Sequence, residues 1–201
     1  MTFREELALQ RWDDHRYYHH SRINQSLHLV SAISFLGAYG LLFVSPAAAA
    51  LVGWLFAMPS RQAGHFFFEP RGYDHANDAS HEFKEQVKVG YNLRRKAVLL
   101  LIWLLSPLLL LTNPTLFGLF DQPTGMVDLV HNIAVGWLAI GAAAVVFRTV
   151  QLFFVRGVQP GLVWCTKILT DPFHDVKLYY KSPLQLWRGE LYDPIGPHRT
   201  A

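Results

Sequence analysis

Four mainly apolar segments, separated by polar ones, dominate the sequence. They cover residues 27–44, 47–68, 94–116 and 127–147. The third has an apolar core of only 15 residues, 97–111, whereas a helix needs about 20 residues to cross a bilayer core, so its helix must extend beyond that core. The pattern predicts an all-α fold, namely a polytopic membrane bundle of about four transmembrane helices.

The positions of lysine and arginine predict the orientation of this bundle. The turn at Ser45-Pro46 and the segment 112–126 contain neither residue, whereas basic residues occur before the first span, between the second and third, and after the fourth. Because basic residues stay on the cytoplasmic side, we expect both termini and the long middle loop to be cytoplasmic. The chain then forms a single integral membrane domain, with an amphipathic tail, 157–201, along the membrane surface.

Composition and charge exclude several functions. The formal net charge of +3 is small and scattered, so we expect no binding to nucleic acid. With Cys165 as the only cysteine, neither an intrachain disulfide nor a thiolate metal cluster can form. The polar first 25 residues predict no cleaved signal peptide. No retention or lipidation signal is apparent, so we expect a bacterial inner membrane.

The ten histidines are the main candidates for chemistry. Nine of them map to the predicted cytoplasmic side. His131 lies near the outer end of the fourth span, where we expect a structural role. His28 and His65 differ from the rest because they lie inside the first and second apolar segments. An ionisable group at that depth is costly, which makes both residues functional candidates with a partner nearby.

Residue spacing groups these two histidines with other polar residues. His65 and Glu69 are four residues apart, as are Asn24 and His28, so each pair shares one helix face. The tight turn between the two segments makes their cytoplasmic ends antiparallel neighbours, which brings the four residues together. Two imidazoles and a carboxylate are typical of mononuclear non-haem iron(II) oxygenases. Zinc can use the same atoms, and a hydrogen-bonded polar cluster without metal is the alternative.

Whether His19 can join this group depends on where the first helix begins. His19 and His28 are nine residues apart, about 900° of helical rotation, which puts them on opposite faces of a continuous helix. Both can bind one metal only if the helix breaks around residues 21–24. In a continuous helix, His20, Asn24 and His28 line up instead. The sequence leaves both geometries open.

Two motifs resemble those of the membrane 2-hydroxy fatty acid dioxygenases. Residues 18–28, YHHSRINQSLH, are similar to the family's opening motif, and residues 64–69, GHFFFE, are similar to its Gly-His-x-x-Phe-Glu motif. The resemblance covers about residues 15–70. It implies an Fe(2+)-dependent enzyme that uses O2 to shorten 2-hydroxy fatty acids by one carbon, in alpha-oxidation. It also implies the endoplasmic reticulum membrane as the location if the source is a eukaryote. Carried onto this chain, it implicates His19, Asn24, His28, His65 and Glu69 as catalytic, metal-binding or substrate-binding residues.

The chemistry of such a substrate fits a membrane interface. A 2-hydroxy acid can chelate iron through its carboxylate and its hydroxyl, so that three protein ligands leave one position for O2. The expected partners are therefore the 2-hydroxy fatty acid, O2 and the lipid bilayer. Arg61, one turn before His65, is a candidate partner for the substrate carboxylate, beside Asn24. Its alternative role is to reach the lipid phosphates.

Two other functions compete with this hypothesis. The chain departs from the dioxygenases beyond about Asp74. The first alternative is a membrane di-iron hydroxylase or desaturase, a class that uses about eight histidines. A dinuclear site would have to recruit the more distant histidines of the cytoplasmic side. The second alternative is a scaffold or small transporter whose polar cluster only holds helices together. The candidates for recruitment to a dinuclear site are His20, His75, His81 and His174.

Overall fold

The computed structural model describes residues 1–75 and 77–194, and these residues form nine α-helices and no strand. The predicted all-α class is confirmed. A π-helical turn, Gly53–Ala57, joins the third helix to the fourth without a break. The helices are α1 (Phe3–Tyr18), α2 (Arg22–Leu41), α3 (Pro46–Val52), α4 (Met58–Phe67), α5 (His81–Val87), α6 (Leu93–Thr112), α7 (Met126–Val155), α8 (Val158–Tyr179) and α9 (Ser182–Trp187).

The four predicted apolar segments correspond to α2, to the continuous α3–α4 unit, to α6 and to α7. Among the described residues, two helices, α6 and α7, are long and apolar enough to cross a membrane. On α6, large side chains such as Leu104 and Leu109 are about 60% exposed, at 62% and 58%. An apolar helix that leaves so many large side chains uncovered by the rest of the described chain is typical of contact with lipid. The chain therefore has the features of a membrane protein.

The π-helical turn has a local cause in the sequence. Met58 donates its backbone N–H to Gly53, five residues back, and the next residue, Pro59, has no N–H to donate and crowds the preceding turn. Tryptophans of α6 and α7 pack beside this turn. Trp54 stacks on Trp103 with ring centroids 5.4 Å apart and donates from Nε1 to the Trp137 carbonyl at 2.8 Å.

A break separates α1 from α2, and side-chain amides hold it in place. Asn24 donates from Nδ2 to the Tyr18 carbonyl at 2.8 Å, and Gln25 donates from Nε2 to the His19 carbonyl at 2.8 Å. These are carbonyls that a helix end leaves without an intrahelical partner. The backbone of residues 191–193 also pairs with that of residues 20–22. Of the two geometries left open by the sequence, the chain adopts the broken helix.

The C-terminal segment packs onto the other helices as far as it is described, and its predicted place along the membrane surface stays a prediction. Helix α8 packs against α2 and α7, and its charged face is buried against other helices. Lys167 contacts Asp14 of α1 and, at 2.6 Å, Asp171 of α8. Burial alone would raise the pKa of Asp14, but the Lys167 ammonium holds that pKa well below its usual value. Paired charges thus allow α8 to enter the bundle.

Candidate metal centre

Three histidines converge in the interior near the N-terminal end of α2 and the C-terminal end of α4. His19, His28 and His65 each offer one ring nitrogen, and these three nitrogens lie within 4.8 Å of one another. The ring centroids are 4.1 Å apart for His19 and His28, and 5.0 Å apart for His28 and His65. All three side chains are buried, with exposures of 3%, 0% and 6%. The structure therefore brings together the predicted pair and the histidine that required a helix break.

A close approach of α4 to α2 sets the distance between His28 and His65. Gly64, the residue before His65, packs against Asn24, and a Cβ at this glycine would lie 2.1 Å from Asn24 Oδ1 and 3.4 Å from His28 Cδ2. Any larger residue would push the helices apart. The glycine of the Gly-His motif is therefore required by the close packing of α4, which carries His65, against His28 and Asn24 of α2.

The ring nitrogens of His19 and His28 have unused hydrogen-bonding capacity. Within the described parts of the chain, neither nitrogen of His28 has a hydrogen-bond partner, and the same holds for Nε2 of His19. The acid nearest to His28 is Asp175, whose Oδ2 lies 3.6 Å from Nδ1. Buried polar atoms in native proteins are normally satisfied. The unsatisfied nitrogens on two adjacent histidine rings therefore fit the binding of a metal ion.

The contacts of His19 favour its metal-binding form. Its Nδ1 lies 3.2 Å from the Tyr179 hydroxyl, which leaves Nε2 available. Burial, assisted by the neighbouring His28, lowers the pKa of His19 well below its usual value. The ring is therefore neutral at pH 7, as a metal ligand must be.

Glu69 contacts the centre through His65. Its Oε2 lies 2.7 Å from His65 Nδ1, and its Oε1 accepts from Lys88 Nζ at 3.0 Å. Because Nδ1 is occupied, Nε2 is the nitrogen of His65 that remains available for a metal. Carboxylates in this position orient a ligating histidine and raise its basicity. The direct ligand role expected for Glu69 stays a prediction, and its contacts are those of a positioning residue.

The two residues expected to bind substrate are both engaged with the protein. Arg61 pairs with Asp175, Nη1 to Oδ2, at 3.1 Å and with Asp171, Nη2 to Oδ2, at 3.7 Å. Asn24 uses its Nδ2 to cap α1, whereas its buried Oδ1 has no hydrogen-bond partner among the described residues. Their roles toward a substrate stay predictions. Their observed role is to hold α1, α4 and α8 around the histidines.

The more distant histidines lie outside the triad. Across residues 1–75 and 77–194, one group could hold a metal, and it comprises only His19, His28 and His65. His20 lies 4.0 Å from Asp74, Nε2 to Oδ2. His75 packs on Tyr73, His81 begins α5 and His174 lies on α8. His131 is exposed on α7, and His198 lies outside the described residues.

Two residues that sequence analysis did not assign to the site contact it directly. Tyr179, buried on α8, places its hydroxyl 3.2 Å from Nδ1 of both His15 and His19. Lys88 pairs with Glu69. A cluster of tyrosine and lysine near residue 180 is equally typical of a membrane-surface helix. No local signal identifies Tyr179, because its partner His19 is 160 residues away.

The chain matches no family model, no curated protein and no solved structure at the level that would show a relationship.

Proposed function

We propose that His19, His28 and His65 hold one iron(II) ion and that the protein is a dioxygenase shortening 2-hydroxy fatty acids by one carbon. The observation that carries this proposal is the meeting of three buried imidazole nitrogens within 4.8 Å, where the rings of His19 and His28 have nitrogens without hydrogen-bond partners in the described structure. A cluster that only held helices together would pair these nitrogens with donors or acceptors. The donor set also suits iron, since imidazole is a ligand for it.

Each side chain of the site has a task in this proposal. When bound, iron(II) supplies the activation of O2 and a chelation point for the carboxylate and hydroxyl of the 2-hydroxy acid. Glu69 holds His65 in one orientation, and Tyr179 holds His19. Burial of all three rings keeps bulk water away from the reacting centre. The motifs around residues 18–28 and 64–69 support the choice of substrate.

The proposal includes a membrane topology of four spans with both termini cytoplasmic. In it, α2 and the α3–α4 unit form one hairpin, and α6 and α7 form the other. The connection between α6 and α7 contains no lysine or arginine, as expected of an outer loop. Labelling of single cysteines in intact cells should modify a cysteine at Thr124 from outside and one at Glu82 only after permeabilisation, since both positions are exposed. The reverse pattern would contradict the topology.

The experiment that tests the function combines metal analysis with turnover. Detergent-purified protein should contain about one iron per chain. With O2 it should convert 2-hydroxyhexadecanoic acid to a product one carbon shorter, and it should leave hexadecanoic acid unchanged. The unhydroxylated acid loses one of its two proposed metal contacts and therefore its orientation. Two irons per chain would support the di-iron alternative, and protein without stoichiometric metal would support the scaffold.

One observation favours a second candidate. The triad contains three imidazoles, and across the described residues no carboxylate joins the group. Three histidines are also the ligands of a class of catalytic zinc sites with one open position. Stoichiometric zinc without oxygen consumption would therefore indicate a zinc-dependent hydrolytic enzyme.

A further inference from the structure

An apolar groove runs between α4 and α6 beside the metal centre. Its volume is about 420 Å³, and it is lined along α4 from Met58 to Phe66 and along α6 from Ala97 to Leu104. Volumes of this size are typical of sites for small organic ligands. No lysine, arginine, aspartate or glutamate lines it. The groove therefore suits an uncharged, elongated hydrocarbon group.

One end of the groove adjoins the histidines. Gln62 and Phe66, which line it, lie three residues before and one residue after His65. The other end, at Met58 and Leu104, lies deeper along both helices. From Ala97 to Leu104 the groove follows α6 for about 10 Å, at 1.5 Å per residue. A chain in the groove would thus extend from the metal centre toward the middle of the proposed membrane.

Gln62 supplies a polar group at the end of the groove nearest His65, whereas the other unpaired polar group of the lining, the indole N–H of Trp103, lies toward the deep end. The Gln62 side chain is only 9% exposed, and its Oε1 has no hydrogen-bond partner in the described part of the chain. An unpaired buried amide is costly, so a ligand that pairs with it gains affinity. Its place at the end of the groove nearest His65 matches the head group of a chain whose tail fills the rest.

We propose that this groove binds the hydrocarbon tail of the 2-hydroxy fatty acid and that Gln62 contacts its head group. The proposal rests on the proposed function for the identity of the head group. The length of the groove then limits the length of the fatty-acid tail that the enzyme accepts. A residue enlarged at the deep end of the groove shortens the accepted tail, whereas one enlarged at the near end excludes all tails.

Photoaffinity labelling tests the groove independently of catalysis. The probe is 2-hydroxyhexadecanoic acid carrying a diazirine near its methyl end, added to the purified protein with its metal. We expect labelled peptides from residues 58–66 and 97–104, and we expect unlabelled 2-hydroxyhexadecanoic acid to compete. Labelling elsewhere would overturn the proposal. Labelling that phosphatidylcholine removes, and that the 2-hydroxy acid does not, would assign the groove to a bilayer lipid and would also overturn it.

Substitutions on α6 provide the matched comparison. Ala97→Trp should lower labelling about tenfold by overfilling the groove, while the iron content stays unchanged. Leu104→Trp should lower kcat/KM for the sixteen-carbon acid relative to a ten-carbon acid by about the same factor. The control is Ile102→Trp, because Ile102 is 49% exposed and does not line the groove. Equal behaviour of Ala97→Trp and Ile102→Trp would contradict the proposal.

The outcomes separate this inference from the proposed function. If the groove is labelled and Ala97→Trp prevents labelling, but no 2-hydroxy acid is turned over, the result supports the groove as a binding site and contradicts the dioxygenase activity. If 2-hydroxy acids are turned over and the Ala97 and Leu104 variants behave as wild type, the result supports the activity and contradicts the groove as the site of the tail.

Discussion

Replacing His28 by alanine is expected to empty the metal centre and abolish turnover. His28 is fully buried, and neither of its nitrogens bonds to any described residue, so the change removes a ligand without breaking a hydrogen bond. We expect metal affinity to fall by more than about 100-fold, beyond the 10- to 100-fold cost of losing an outer-shell partner. Metal analysis after dialysis against a chelator of known affinity measures this, and oxygen consumption measures turnover.

The control for this variant is His131→Ala. His131 is exposed on α7 and is far in sequence and topology from the triad, so this protein should keep its iron and its activity. Circular dichroism and the elution volume in detergent should match the wild type for both variants. A His28→Ala protein that is folded and retains wild-type iron would contradict the triad as the metal centre.

Glu69→Gln, measured in the same series, separates a ligand from a positioning residue. The amide can still bond to His65 Nδ1, but it loses the charge that pairs with Lys88, whose other carboxylate partner is Glu85 at 3.0 Å. If Glu69 acts only by positioning His65, the change should lower metal affinity by about 10- to 100-fold and leave measurable metal binding. A loss as complete as that of His28→Ala would instead show that Glu69 binds the metal directly.

The helical architecture and part of the site follow from short-range patterns. Long apolar segments predict helices, and the turn at Ser45-Pro46 predicts that α2 and α3–α4 are neighbours. His28 and His65, placed at similar depth on the two segments, therefore had to lie close together. The confirmed juxtaposition needed only helical periodicity and one tight turn.

The position of His19 could not be predicted in the same way. Its place in the site depends on the break before Arg22, which is held by the amides of Asn24 and Gln25 and by backbone pairing with residues 191–193. The last of these contacts joins segments about 170 residues apart in sequence. Arg22, the first residue of α2, pairs with Asp193 at 3.0 Å. Such long-range contacts leave no local pattern.

The burial of α8 could not be predicted from the sequence, for a related reason. Its charged residues suggested contact with water or lipid head groups, yet Lys167 and Asp171 are 5% and 2% exposed. Their partners, Asp14 and Arg11, lie on α1 more than 150 residues earlier. Charged residues are rarely this buried unless they are paired, and the sequence does not show which charges pair. Tyr179 reaches His19 because this pairing draws α8 into the bundle.

Gly64→Ala is expected to disrupt the centre without touching a ligand. The new Cβ would lie 2.1 Å from Asn24 Oδ1, and Asn24 cannot yield easily because it is fully buried and bonded to the Tyr18 carbonyl. Helix α4 must therefore move away from α2, which separates His65 from His28. Overpacking of this kind costs about 1–3 kcal/mol, and we expect metal affinity to fall by about 10- to 100-fold, as for other losses of ligand orientation.

The matched control for Gly64→Ala is Gly136→Ala, a helix-interior glycine on α7 with no atom within 4 Å of the added Cβ. It should keep its iron and gain up to about 1 kcal/mol of stability, since alanine favours a helix more than glycine does. Chelator competition and thermal unfolding measure both effects. If Gly64→Ala binds iron as tightly as the wild type, the close approach of α4 to α2 does not set the geometry of the triad.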